Sequence, residues 1–262
     1  MLLSTDAAKQ AHTALHLQHP WTEQAKKTMG VAIDLFTVAA QVKYQGNDKD
    51  EAHRVVVIQM LGIRVLNSTS ATTDLISSGY FQQAAMLIRD VLECAFLLDL
   101  FSRRPEHLQP WIESGLGAGK DSYQPWKVRA LLDEIDGPGG AIRSKHYGFY
   151  SRYATHPNSG GLIFIAPEDR AIEIGPFVNA KLMLFLILDL TRFVVLAAQH
   201  LAMWFRTEGI NLAEGADFDA FSAAFDANSQ NFLALNAFIN EVNQVEGHLE
   251  IAAADQAQPA GE

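Results

Sequence analysis

The amino-acid sequence predicts an all-α protein, a helical bundle carrying a small β-hairpin near residues 162–174. Three observations predict it. Apolar residues recur at three- and four-residue spacing through several long stretches, the signature of helices that bury one face. Clusters of Gly and Pro fall between those stretches, where they end helices. Short apolar runs of strand length, Leu162–Ile165 and Ala171–Ile174, stand in one place only, on either side of Pro167-Glu168-Asp169-Arg170.

Each element follows in chain order. Thr22 to Tyr44 reads as a helix through Ala25, Met29, Ala32, Ile33, Phe36 and Ala40, and Gly46-Asn47-Asp48 breaks it. A second helix starts near Asp50 and carries Val55 to Ile58, Leu61, Val65 and Leu66. It runs into the small polar stretch Asn67 to Thr73, whose short side chains suit a close packing seam. Gly79 separates it from a third helix, Tyr80 to Arg103, stopped by Pro105. Its apolar residues lie on more than one side, so it should be covered by several neighbours. Residues 105–140 are interrupted by four prolines, leaving room for short helices around Trp111 and from Trp126 to Ile135. A fourth helix spans Ala141 to Thr155 and ends before Pro157.

After the hairpin, Pro176 precedes a long apolar helix, Leu182 to Phe205, in which Asp189 and Arg192 are spaced to pair on one face. That pair, with Gln199 and His200, suits the core helix of a bundle better than a membrane span. A last amphipathic helix carries Phe218, Phe221, Phe225, Phe232, Leu235, Phe238 and Val242. Residues 1–250 thus read as a single helical domain, and 251–262, rich in Ala and Gln, as a disordered tail.

At 262 residues and 48% hydrophobic, the chain can bury a full core without staples. The only cysteine, Cys94, sits in an apolar stretch and reads as an inert buried thiol in a reducing compartment. No signal-peptide pattern opens the chain, so a cytoplasmic, membrane-free protein is expected. A net charge of -10 disfavours broad nonspecific binding to nucleic acid while leaving room for a local basic patch.

Two glycine- and histidine-based motifs fail on inspection. In Gly115-Leu116-Gly117-Ala118-Gly119-Lys120 the first glycine of a phosphate loop falls on Ser114, Asp121 replaces the Ser or Thr, and no strand precedes. His12, His16 and His19 would share a helix face but have no nearby carboxylate to complete a metal shell, so a metal-dependent hydrolase ranks last and no cofactor is expected.

The residues that carry a site are polar groups set among apolar helix positions: Arg89, Glu93, Tyr150, Ser151, Arg152 and His156. Arg89 and Glu93 are one turn apart between two apolar sides of the third helix, where an unpaired charge is costly, so they should be buried and paired. Arg152 and His156 are also four apart, so an imidazole could shuttle protons beside a guanidinium that stabilises an anion. The competing reading is structural: a register-fixing ion pair, and a histidine held by the helix dipole.

The order Arg89-x-x-x-Glu93, then Tyr150-Ser151 and His156-Pro157, then a short hairpin and a long apolar helix resembles a group of bacterial helical proteins that look like relatives of the HEPN domains. It spans about residues 50–205. The HEPN ribonuclease signature places four to six residues between arginine and histidine, whereas three separate Arg152 from His156. The resemblance implies a HEPN-like bundle, a homo-oligomer, and a metal-independent role on RNA or nucleotides of the defence or toxin type. The alternative is a non-catalytic protein–protein interaction module with structural Arg/Glu pairs.

Overall fold

The computed structural model describes residues 4–18, 20–44, 46–115, 122–137, 141–155, 159–165 and 175–208. These form eight α-helices with no β-strand among the described residues: α1 Thr5–Gln18, α2 Pro20–Ala40, α3 Lys49–Ser77, α4 Phe81–Arg103, α5 Leu108–Gly115, α6 Pro125–Asp136, α7 Ala141–Tyr150 and α8 Ala180–Thr207.

Local chemistry sets the ends of the main helices. Asp48 caps α3, its carboxylate accepting from the backbone N–H groups of Asp50 at 2.8 Å and Glu51 at 3.3 Å. Asn179 caps α8 in the same way, accepting from Leu182 N–H at 3.0 Å. The α3–α4 turn depends on Gly79, at φ 80°, where a Cβ would come within 2.4 Å of the Phe177 carbonyl oxygen. The small polar run stays helical inside α3. Thr69 and Thr72 are buried there, and their hydroxyls donate back to the carbonyls of Val65 and Ser68.

The core is built by α2, α3, α4 and α8. Helices α3 and α4 run antiparallel across the Gly79 turn, and Arg64 of α3 holds Asp90 of α4 at 3.1 Å. α4 and α8 run parallel: Phe81 meets Phe177 edge-on at 5.3 Å at one end, and Ser102 meets His200 at the other. α8 is enclosed along most of its length. Its Leu186, Leu190, Phe193, Val194, Ala197 and Leu201 are all buried, the larger ones contributing roughly 1.5–3 kcal/mol each. By length and composition, α3 and α8 are both long and apolar enough to cross a membrane. In α8, 78% of the most apolar stretch is buried inside the bundle, and Arg192 pairs with Asp189 at 2.9 Å, as befits a core helix.

The fourth helix is shorter than its sequence pattern: α7 ends at Tyr150 and Ser151–Thr155 continue as a single π turn. α6, α7 and this turn form a layer against α4, with the turn also meeting a 3-10 segment, Ser159–Phe164. That segment corrects the hairpin expectation, because Leu162–Phe164 lie in its helical turns rather than in a strand. Phe164 anchors it, buried against Phe149 at a ring separation of 6.1 Å, while Leu162 is exposed; one buried ring suffices to seat a short turn. Residues 166–174, the amphipathic pattern from Phe218 to Val242, and the 251–262 tail lie outside the described residues. α1, which sequence spacing did not assign as a helix, packs beside α2 and α3 with Ala8 and His12 buried, His12 reaching the Ser77 carbonyl at 2.9 Å.

Candidate functional site

Arg89 stands on α4 between buried Ile88 and the buried pair Val91 and Leu92, so its guanidinium is presented at the edge of the α4–α7 seam. Each of its three nitrogens is used. Nε donates to Glu93 Oε1 at 3.0 Å, Nη1 to the Thr155 hydroxyl at 2.9 Å, and Nη2 to the Tyr147 hydroxyl at 2.6 Å. Thr155 in turn donates to the Tyr150 carbonyl at 3.3 Å, tying the π turn to α7. A second guanidinium enters from α6, with the Arg129 carbon 3.8 Å from the Tyr147 ring centroid and Arg89 5.0 Å from the same ring. Tyr147 therefore takes one arginine at its hydroxyl and the other over its ring.

Arg129 carries the unresolved demand of this arrangement. Among the described residues, its Nε and Nη1 are buried without a hydrogen-bond partner. Leaving charged donors unmade is costly, about 1–3 kcal/mol or more for each. Among the described residues, the one carboxylate in the contacts of the pair is Glu93, already engaged by Arg89.

The six residues singled out from the sequence separate in space. Arg89 and Glu93 do pair, and Arg89 does reach the 150–156 segment, but both are half-buried, with 21% and 31% of their side chains exposed. The seam between α4 and α7 leaves their outer edge to solvent. Tyr150 leaves the site altogether. α7 lies across α4 and α8, so Tyr147 points to Arg89 while Tyr150 is buried and donates to Asp189 Oδ2 at 2.6 Å. Ser151 is half-buried in the π turn, and Arg152 is exposed, with its guanidinium 5.9 Å from the Tyr153 ring. His156 lies outside the described residues. Sequence reading passed over Arg129 and Tyr147, because each sits in a short helix whose pattern gives no hint that the two meet.

A second polar centre was also missed. Asp99, 2% exposed at its side chain, takes Arg103 at 2.6 Å, Arg143 at 3.2 Å and His200 Nε2 at 3.3 Å. Asp136 adds close pairs to Arg103 and Arg143, and Asp133 reaches Arg143 at 3.2 Å. Ser102 Oγ lies 2.9 Å from His200 Nδ1, completing a Ser–His–Asp string. It is no nucleophile: Ser102 is buried, its hydroxyl also contacts the Asp99 carbonyl at 2.9 Å, and Asp99 is committed to two arginines. Burial holds the His200 imidazole below its ordinary value, against the pull of Asp99. The cluster joins α4, α6, α7 and α8 and fixes the layer that carries Arg129 and Tyr147.

The remaining candidates are structural. His12 is buried with Nδ1 2.9 Å from the Ser77 carbonyl and its ring edge-on to Phe81, so it faces the core. The side chains of His16 and His19, and residues 116–121 of the glycine loop, lie outside the described residues. Among the described residues no group of three His, Cys, Asp or Glu side chains is placed to hold a metal ion. Burial pushes the Cys94 thiol up to about 12, which leaves it protonated and unreactive. No protein-family model, curated protein or solved structure matches this chain.

Proposed function

We propose that this is a HEPN-like helical protein that recognises the phosphate of RNA or of a nucleotide at the Arg89–Tyr147–Arg129 site. The observation that carries the reading is Arg129, whose buried N–H donors lack partners among the described residues, near a carboxylate already engaged by Arg89. A phosphate oxygen satisfies such donors and matches the planar guanidinium. The charge of the chain does not oppose this. Residues 209–262 hold nine Asp and Glu and no Lys or Arg, so nine of the ten net negative charges lie there and residues 1–208 are close to neutral.

The chemistry favours recognition over cleavage at the described residues, since Glu93 is held in an ion pair by Arg89. Cleavage would draw on His156, which follows the Arg89-bound Thr155 in the chain. The test is titration of a fluorescently labelled single-stranded RNA into wild-type protein and Arg129→Ala, with gel analysis of the RNA and His156→Ala as control. The reading expects binding that falls at least tenfold in Arg129→Ala. Equal affinity in the two proteins contradicts it.

The alternative, a protein–protein interaction module, is favoured by a different feature. Val56, Met60 and Ile63 are exposed at helical spacing on the outer face of α3. Wild-type affinity for RNA no greater than that of an unrelated acidic protein would shift the balance to it.

A further inference from the structure

Trp126 is the most exposed aromatic among the described residues, at 59%. A side chain of that size left in water forgoes burial that the bundle could supply. It lies in the first turn of α6, three residues before Arg129, so the two project from one side of the helix about one turn apart. Lys127 Nζ lies 5.3 Å from the indole centroid, adding a cation beside the ring. Arg129 meanwhile is fixed against Tyr147 with unpartnered donors.

Resting on the phosphate reading above, we infer that Trp126 and Arg129 form a two-point nucleotide site, in which a base stacks on the indole while its phosphate meets the guanidinium. One helical turn is close to the distance between a base and its own phosphate in an unpaired nucleotide. An indole accepts the flat face of any base, whereas a base inside a duplex has no free face. The ligand class is therefore an unpaired nucleotide, free or as one unit of a single strand, with little preference among bases. Lys127 contributes charge near the same ring and strengthens attraction to the backbone without selecting sequence.

The experiment uses the full chain and fluorescence anisotropy with two labelled hexamers, oligoadenylate and an abasic strand of equal length. Wild-type protein is expected to bind oligoadenylate roughly fivefold or more tightly than the abasic strand. Trp126→Ala should abolish that preference, and Trp126→Phe should restore part of it. In competition, adenosine monophosphate should displace the strand at lower concentration than ribose 5-phosphate, which has the phosphate but no base; equal displacement by the two overturns the inference. A base preference that survives Trp126→Ala, or equal binding of both hexamers by wild type, overturns the inference while the phosphate site stands. Absence of binding to either hexamer removes the phosphate site and the inference together.

Discussion

Asp99 of α4 and Arg143 of α7 meet at 3.2 Å in the interior, and through that pair the helix bearing Tyr147 is held to the bundle core. Asp99→Ala would strand Arg103 and Arg143 against only the more exposed Asp133 and Asp136. Breaking a buried pair costs roughly 3–5 kcal/mol, and the surviving partners should bring the loss toward the lower figure. Urea denaturation should show that loss, with Asp99→Asn intermediate. A loss under 1 kcal/mol in Asp99→Ala would mean the cluster does not secure α7.

Glu93→Ala should be far milder. The Arg89–Glu93 pair is an i,i+4 contact with 21% and 31% of its side chains exposed to water, and Arg89 keeps Tyr147 and Thr155. A change below about 1 kcal/mol in stability is expected. Removing this carboxylate from beside Arg89 should also tighten phosphate binding. Weaker binding in a fully folded Glu93→Ala protein would argue that Glu93 itself orients the ligand.

Tyr150→Phe separates core from site. The phenol donates to Asp189, which is buried and keeps Arg192 as counter-ion, so loss of the hydroxyl should cost about 1–3 kcal/mol. RNA affinity measured well below the melting temperature should be unchanged. Tyr147→Phe, by contrast, removes the Arg89 contact and should reduce affinity with little loss of stability.

Acidification should destabilise the fold through buried histidines. Burial holds the imidazoles of His146 and His200 below the ordinary 6.5, although Asp189 and Asp99 respectively pull the other way. The unfolded chain therefore takes up protons at a pH where the native protein does not. Stability is complete above about pH 6.5 and declines as the pH falls through that value toward the folded pKa, by at most about 1.4 kcal/mol per pH unit for each histidine. Melting temperatures between pH 7.5 and 5.5 should trace this decline, and His200→Gln should flatten it. An identical slope in the variant would remove His200 as a contributor.

The long elements were legible in the sequence because a helix that buries one face repeats that fact every turn. The expected start near Asp50 coincides with the Asp48 cap, and the expected Leu182–Phe205 core lies within α8. The Asp189–Arg192 pair could be read because its spacing is local. The hairpin could not: Leu162–Ile165 has strand composition, but Ser159–Phe164 form a 3-10 segment in which Phe164 is buried against Phe149, a tertiary contact that no local pattern encodes. The site was half-legible for the same reason. Arg89 and Glu93 are four residues apart, whereas Arg129, Tyr147 and the Asp99 partners come from separate helices, and no periodicity encodes which short helix will lie on which.

The central claim is that Arg129 waits for a phosphate, and the salt dependence of binding tests it most directly. Kd for a single-stranded RNA hexamer should be measured across a range of salt for wild type and Arg129→Ala. A guanidinium that contacts a phosphate displaces about one counterion, so the variant should bind more weakly and the slope of log affinity against log salt should fall by about 0.7. Parallel lines of equal slope, with only a small offset, would place Arg129 outside the phosphate contact and contradict the account.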